Sequence, residues 1–323
     1  MQNHFWKDKK VLVTGALGFL GGHLAKTLAH KQAKVWGLDC LRPPAKHPLL
    51  SKEDFKLIKT VKADVRDLGA ILKLLRKNKI EVIFHLAAQS WVGICLEKPL
   101  EGFKTNIEGA WNILEAARQT PGVKSIVVAS SDKAYGAHPM LPYTEDFALL
   151  AHHPYDVSKA CADLLAVAYA KTYQTPAAVT RCGNIYGPGD LNFSRIVPEA
   201  IRCALKGRKL VIRSDGKFTR DYVFIKDIVK AYLLLGQKIY QGHGSGEAFN
   251  FSNEKPLSVL EIVKNIYRLT SQRPHFEVLN RASCEIKNQF LCSKKARKIL
   301  GWKPETTLEQ GLKETITWYR KHL

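Results

Sequence analysis

The chain has 323 residues, 46% of them apolar, enough for one large domain or two moderate ones around a real core. Charged residues make up 24%, so no segment reads as disordered by composition, and no apolar run reaches the length of a membrane span. The formal net charge of +21 would suit a nucleic-acid surface. The lysines are dispersed, however, with short clusters only at "KDKK" and "SKKARK", and the sequence has no RNP pattern or zinc knuckle. The expectation is a solvated basic surface that attracts anionic substrates, with no nucleic-acid partner.

In chain order, "KVLVTG" predicts a buried strand and "GGHLAKTLAHKQ" the helix after it. "KVWGLD" is the next strand and "DLGAILKLLRKNK" the next helix. "VIFHLAA" and "KSIVVASS" are further apolar strands, separated by the helix-like "GAWNILEAARQT". This alternation predicts an α/β fold, a doubly wound parallel sheet of Rossmann type, with ligands beyond the carboxyl ends of the strands. The second half is less regular. "NIYGPGD" is a turn, "RIVPEAIRCALKG" and "DIVKAYLLLGQ" are helices, "KLVIR" is a short strand and "YQGHGSGEAF" a loop. "LEQGLKETITWYRKH" is a closing helix with basic residues where they suit its dipole. A smaller, interleaved α/β domain is expected, with one domain over 1–182 plus about 221–247 and the other over 183–220 and 248–323.

Cys40, Cys95, Cys161, Cys182, Cys203, Cys284 and Cys292 are an odd number, with no CxxC and no metal-binding spacing. Reduced thiols and no metal site are expected. The start "MQNHFWKDKKVLVTG" lacks the apolar core of a secretory signal, so the expected location is the cytoplasm.

After the first strand, "TGALGFLGG" places Gly15, Gly18 and Gly21 in a GxxGxxG spacing, with Phe19 and Leu20 opening the helix. Two glycines allow a tight turn and close approach, the third allows helix–strand packing, and the helix N-terminus offers N–H groups to a pyrophosphate. Asp39 lies at the end of the second strand, about 20 residues on as the motif requires. Its carboxylate would bond the adenosine ribose and repel a 2′-phosphate, favouring NAD over NADP, although Arg42 is close in sequence. A glycine-rich turn without a ligand is the plainer alternative.

Tyr155 and Lys159 in "PYDVSK" are four residues apart, one face of a helix. A phenol is a poor base near neutrality, but a lysine ammonium and a nicotinamide cation would stabilise the phenolate. Such a pair can take a proton from a sugar hydroxyl as hydride leaves the same carbon. A surface pair would have the same spacing, and it is the preceding glycine turn that points to catalysis.

Taken together, "TGALGFLG", Asp39, "HLAAQS", "SSDKAYG", "YDVSK", "RCGNIYGPGD" and "TRDYVFIKDIVKAY" resemble the extended short-chain dehydrogenase/reductase family of nucleotide-sugar enzymes. So does "SKKARKILGWKPETTLEQGLKETITWY" near the end of the chain. The resemblance implies that Asp64 and Val65 lie at the adenine and that Leu86, Ala87 and Ala88 line the cofactor. It also implies a retained NAD, reduced and reoxidised within each turnover, and a homodimer through helices around 99–118 and 154–174. A nucleoside-diphosphate hexose is the implied substrate. Arg195 and Arg220 match positions at the diphosphate, Asn184 one at the sugar or its phosphate, and Gln89 one facing the hexose.

"SSDKAYG" separates the chemistries. Ser131 matches the family hydroxyl that bonds the sugar 4-hydroxyl. Relatives of UDP-galactose 4-epimerase carry small or apolar residues next, whereas 4,6-dehydratases need an acid and a base. Asp132-Lys133 resembles the CDP-glucose 4,6-dehydratase branch, as do "FWKDKKVLVTG" and "GPGDLNFSRIVP"; "TRDYVFIKD" follows the general family pattern instead. The expected reaction oxidises C4, eliminates water across C5–C6 and returns hydride to C6. Asp132 would be the acid, its protonated form favoured by burial, and Lys133 either the base or an enolate-stabilising group. The alternatives are a 4-epimerase and a non-catalytic NAD-binding module. The nucleotide (CDP, GDP, UDP or dTDP) and the hexose stay open.

Overall fold

The computed structural model describes residues 4–281 and 285–323; Cys284 lies outside the described residues. The chain divides into two compact units. One comprises Met1–Ala134, Ala151–Arg181 and Val229–Phe249, the other Tyr135–Leu150, Cys182–Ile228 and Asn250–Leu323. The segments 135–150 and 221–228, read from sequence with the cofactor-binding part, thus fall in the second unit.

The first unit is organised by a sheet of β1 (Lys10–Thr14), β2 (Lys34–Asp39), β3 (Ile58–Lys62), β4 (Val82–His85), β5 (Ser125–Ala129), β6 (Ala177–Cys182) and a seventh strand, Ala248–Phe251. Their spatial order is seventh, β6, β5, β4, β1, β2, β3. β1 pairs in parallel with both β2 and β4, and the parallel pairing continues from β4 to β5 to β6 and from β2 to β3. Chain order therefore reverses between β1 and β4, the switch point at which such sheets open a ligand crevice.

The strands hold this geometry because both faces are covered. Leu12, Ile83, Ile126, Val128 and Val179 are buried on one side among Ile71, Leu75, Ile113, Leu114 and Ala166 of the crossover helices. Each such aliphatic chain contributes roughly 1.5–3 kcal/mol by leaving water. Register then fixes the site. Thr14 lies opposite His85 and His85 opposite Val128, so the turns leaving β1, β4 and β5 emerge side by side.

β3 is a lysine-bearing edge strand, exposed along most of its length, and its sequence, "IKTVK", has no apolar alternation that would announce it. The helix Lys52–Leu57 before it depends on a reciprocal Ser51–Asp54 capping box.

Among its described residues the second unit has three two-stranded ladders. Asn184–Tyr186 pairs with Tyr222–Phe224, Thr219–Arg220 with Leu257–Ser258, and Leu210–Ile212 with Phe276–Val278. Its helices include Ile196–Lys206, Val259–Thr270, Lys294–Leu300 and Leu308–His322. Trp302 is wholly buried, donates its indole N–H to Asp227 O at 2.9 Å and packs edge-on against Phe251. Among the described residues, no helix is long and apolar enough to cross a membrane.

Candidate active site

The turn after β1 is a backbone construction. Gly15 has φ +69°, and a Cβ there would lie 2.9 Å from Ala87 N, while one on Gly21 would lie 2.0 Å from Gly15 O. Only hydrogen fits at either position. Gly18 is the N-cap of α1 (Phe19–His30), in extended conformation and without a side-chain cap. The first N–H groups of that helix, at Phe19, Leu20 and Gly21, therefore have no intrahelical acceptor and suit a pyrophosphate. Leu86 N–H and Ala87 N–H both donate to Thr14 Oγ1 at 3.1 Å, which ties the turn after β4 to the end of β1. Ala88 follows, half-buried.

Asp39, at the end of β2, accepts from Leu17 N–H on one carboxylate oxygen and Leu41 N–H on the other, each at 3.1 Å. Its carboxylate is thereby aimed beside the glycine turn, as ribose recognition requires. Asp64 is gripped by the Arg66 guanidinium, which holds its carboxyl below the usual carboxylate range. Val65 is buried against the site of Gly109, where a Cβ would come within 2.7 Å of it. The close fit of Gly15 and Gly21, the open helix N-terminus and the placed Asp39 are what an NAD site needs.

Tyr155 and Lys159 lie in the first turns of the helix Pro154–Tyr173, which Pro154 opens. Lys159 is 7% exposed and donates from Nζ to Ala129 O at 2.9 Å. Burial pushes its ammonium down to about 8. Its side chain thus joins the Tyr155 helix to the end of β5. His85 is buried as well, and burial with the nearby Lys159 charge pulls it down to about 3, so it stays neutral and hydrogen-bonded to Thr14 Oγ1 at 2.9 Å.

The turn after β5 carries Ser131, Asp132 and Lys133 consecutively. Asp132 is 2% exposed, while Ser131 and Lys133 are half-buried. Ser131 Oγ–H donates to Asp132 Oδ1 at 3.0 Å, and Ser131 Oγ accepts from Lys133 N–H at 3.2 Å. The serine hydroxyl is engaged within its own turn, which the sequence did not indicate.

Gln89 is half-buried. Its backbone is held on both sides by Asn106, whose Oδ1 accepts from Gln89 N–H at 2.7 Å and whose Nδ2 donates to Gln89 O at 3.2 Å. Asn106 Nδ2 also reaches Ser158 Oγ at 2.8 Å, and Ser158 Oγ–H donates to Tyr155 O at 2.7 Å. Asn106 therefore ties Gln89 to the tyrosine helix. It escaped the sequence reading because it sits in a π-helical segment, Lys104–Glu108, between the helices Pro99–Phe103 and Gly109–Arg118. The signal available was an asparagine inside a helical pattern.

In the second unit, Arg195 is paired by Asp190 at 3.0 Å and sits at the N-cap of the helix Ile196–Lys206. Arg220 is buried, donating to Thr219 O and Lys287 O with Glu285 at 3.5 Å. Asn184 is half-buried, opposite Tyr222 in its ladder. Among the described residues, no cluster of His, Cys, Asp and Glu could hold a metal ion.

Residues 11–251 match the model of the NAD dependent epimerase/dehydratase family. A trifunctional UDP-glucose 4,6-dehydratase/3,5-epimerase/reductase of Arabidopsis thaliana is 30% identical over 98% of the chain, which spans about half of that relative's length (48%). The CDP-glucose 4,6-dehydratase of Salmonella typhimurium is 29% identical over 99% of the chain and 93% of its own. The UDP-glucose 4-epimerase of Mycolicibacterium smegmatis is 32% identical over 96% and 98%. Among solved structures, a Thermotoga maritima UDP-glucose 4-epimerase with UDP-glucose superposes with a TM-score of 0.87 at 28% identity, covering 97% of this chain and 99% of its own. A Bacillus anthracis dTDP-glucose 4,6-dehydratase in complex with NAD gives 0.84 at 28%, covering 97% of each.

Proposed function

The chain belongs to the NAD-dependent epimerase/dehydratase family, and from that premise we propose that it is a nucleotide-hexose 4,6-dehydratase. The observation that carries this reading is the consecutive Ser131-Asp132-Lys133 on the turn after β5, with Asp132 buried and bonded to Ser131. An enzyme that only inverts C4 has no use for an acid and an amine at that position; elimination across C5–C6 needs both.

Bound NAD supplies the hydride acceptor for C4 and the donor for C6. Gly15, Gly18, Phe19, Leu20 and Gly21 hold its pyrophosphate and Asp39 its ribose. Asp64 and Val65 meet the adenine, and Leu86, Ala87 and Ala88 line it. Tyr155 takes the proton of the 4-hydroxyl, its phenolate stabilised by Lys159 one helical turn away, and Ser131 turns its hydroxyl from Asp132 to the same sugar oxygen. Lys133 removes the C5 proton made acidic by the 4-ketone and, having exchanged with solvent, returns a proton to C5 when hydride reaches C6. Asp132 gives its proton to the departing C6 hydroxyl, which leaves as water. Gln89 contacts the hexose, Asn184 the sugar or its phosphate, and Arg195 and Arg220 the diphosphate.

A second reading, a nucleotide-sugar 4-epimerase, is favoured by the 4-epimerase relative, which at 32% is slightly more identical than dehydratases at 28–30%. Turnover in D2O separates the two. A dehydratase loses water and incorporates solvent deuterium during the C5–C6 rearrangement; an epimerase returns the hydride to C4 and leaves C5 and C6 unlabelled.

The partner reading is a homodimer in the cytoplasm. Leu100, Trp111 and Leu164, on the helices Pro99–Phe103, Gly109–Arg118 and Pro154–Tyr173, are large apolar side chains left exposed. A second copy burying them would explain that. Leu164→Glu is expected to convert a dimer to monomer by light scattering; an unchanged mass would remove this interface.

A further inference from the structure

The segment between β2 and the helix Lys52–Leu57 has no part in the family motifs, yet it is bonded to the glycine turn. His47 Nδ1 lies 3.1 Å from Leu49 N and 3.1 Å from Leu50 N. Both partners are N–H donors, so Nδ1 must offer a lone pair, and in the neutral ring the proton resides on Nε2. Nε2 lies 3.0 Å from Leu17 O and donates to it. The N–H of the same Leu17 donates to Asp39. The peptide groups entering and leaving Leu17, one residue before the N-cap of α1, are thus held from two sides, by an aspartate at the end of β2 and by a histidine from the segment beyond it.

The segment is itself anchored. Lys26 Nζ donates to Leu49 O at 3.4 Å and pairs with buried Asp54 at 2.9 Å, and His30 reaches Asp54 at 2.8 Å. Leu50 is buried, and His47 packs edge-on against Phe55 at 5.9 Å between ring centroids. A Cβ on Gly22 would lie 3.4 Å from Leu49 Cδ1 and 3.7 Å from His47 Cε1, so the segment rests on the first turns of α1. The ring has little freedom to move away from Leu17.

We propose that His47 is a positioning residue for the cofactor, its Nε2–H fixing the Leu17 carbonyl so that the glycine turn is preformed for the NAD pyrophosphate. Without His47 the Leu17–Gly18 peptide would be held only through Gly18 N–H, which donates to Gly15 O at 3.0 Å, and its carbonyl would have no partner from the neighbouring segment. The turn would then have to be ordered when NAD binds, at a cost in affinity. The inference rests on the reading of this turn as the NAD site.

Two substitutions divide the ring's two roles. His47→Gln can keep a donor near the place of Nε2, whereas His47→Asn keeps an acceptor near the place of Nδ1 for Leu49 and Leu50 and loses the bond to Leu17. NAD dissociation constants would be measured on the full chain by calorimetry, with UDP binding and the melting temperature of the NAD-free protein as references. The expected result is that His47→Asn weakens NAD about tenfold, as loss of one part-buried hydrogen bond allows, with UDP binding and melting unchanged. His47→Gln should restore most of the affinity. Wild-type affinity in His47→Asn, or equal losses in both variants, would overturn the proposal. If neither variant folds, the 15N shifts of His47 in the wild-type protein decide: an Nε2–H tautomer is expected, and an Nδ1–H tautomer would overturn it. A wild-type protein that binds no NAD would sink the cofactor reading along with the proposal, a result distinct from tight NAD binding that ignores His47.

Discussion

Two turns leave strands of the same sheet on either side of β4 and are built in opposite ways. The turn after β1 is held by backbone and by the absence of side chains. Gly15 and Gly21 admit no Cβ, and Leu17 is bonded through its own N–H and C=O. The turn after β5 is held by its side chains, Ser131 bridging Asp132 and the Lys133 amide. On the proposed function, the first would present the same N–H groups to the cofactor at every turnover, so rigidity would serve it. The second would carry groups that gain and lose protons, and a hydroxyl able to exchange one partner for another would serve it better. On that proposal, cofactor binding is written in conformation and reaction type in three exchangeable side chains.

That contrast predicts different failures. Asp132→Asn or Lys133→Ala is expected to lower the rate of water loss by roughly 10²–10⁴-fold, the usual worth of a general acid or base, with NAD affinity and melting temperature unchanged. Product mass spectrometry and calorimetry would check it, and full activity in both variants would leave the turn without its chemical role. Gly21→Ala should fail the other way. Its Cβ would meet Gly15 O at 2.0 Å, and relieving that backbone clash would cost more than about 3 kcal/mol. NAD binding and stability should fall together. Gly18→Ala, whose Cβ meets the same oxygen at 3.2 Å, should be much milder, and equal effects would show that close packing is not what the third glycine provides.

The smallest expected effect concerns Lys159, which spans the end of β5 and the tyrosine helix. Burial lowers its ammonium from 10.5 to about 8, so above that pH the folded protein binds fewer protons than the unfolded chain. Its contribution therefore makes stability rise with pH, by about 2 kcal/mol between pH 7 and pH 9.5. Denaturation of Lys159→Met compared with wild type across that range should show this component removed. Parallel curves would mean that the ammonium is not desolvated as its burial indicates.

The sequence made the regular parts of the fold readable. β1, α1, β2 and the glycine turn follow from fully buried apolar runs, a strand-to-helix change of period and glycines where only glycine fits. β3 was silent because an edge strand with only Ile58 buried has no run of buried apolar residues to reveal. Tyr155 and Lys159 were legible from helical spacing, but the bond from Lys159 to Ala129 was not, since it joins residues 30 apart across the sheet. Asn106 and His47 were missed for the same physical reason. Each works by bonding backbone groups brought to it by the fold, which leaves no trace in spacing.

The central claim is water loss, and the most direct test is mass spectrometry of the purified protein incubated with CDP-, GDP-, UDP- and dTDP-hexoses. The expected result is loss of one water from one of them, giving a 4-keto product without net consumption of NAD, which would also name the nucleotide. An unchanged mass accompanied by a new stereoisomer would contradict the dehydratase and establish an epimerase that carries Asp132 and Lys133 for some other purpose.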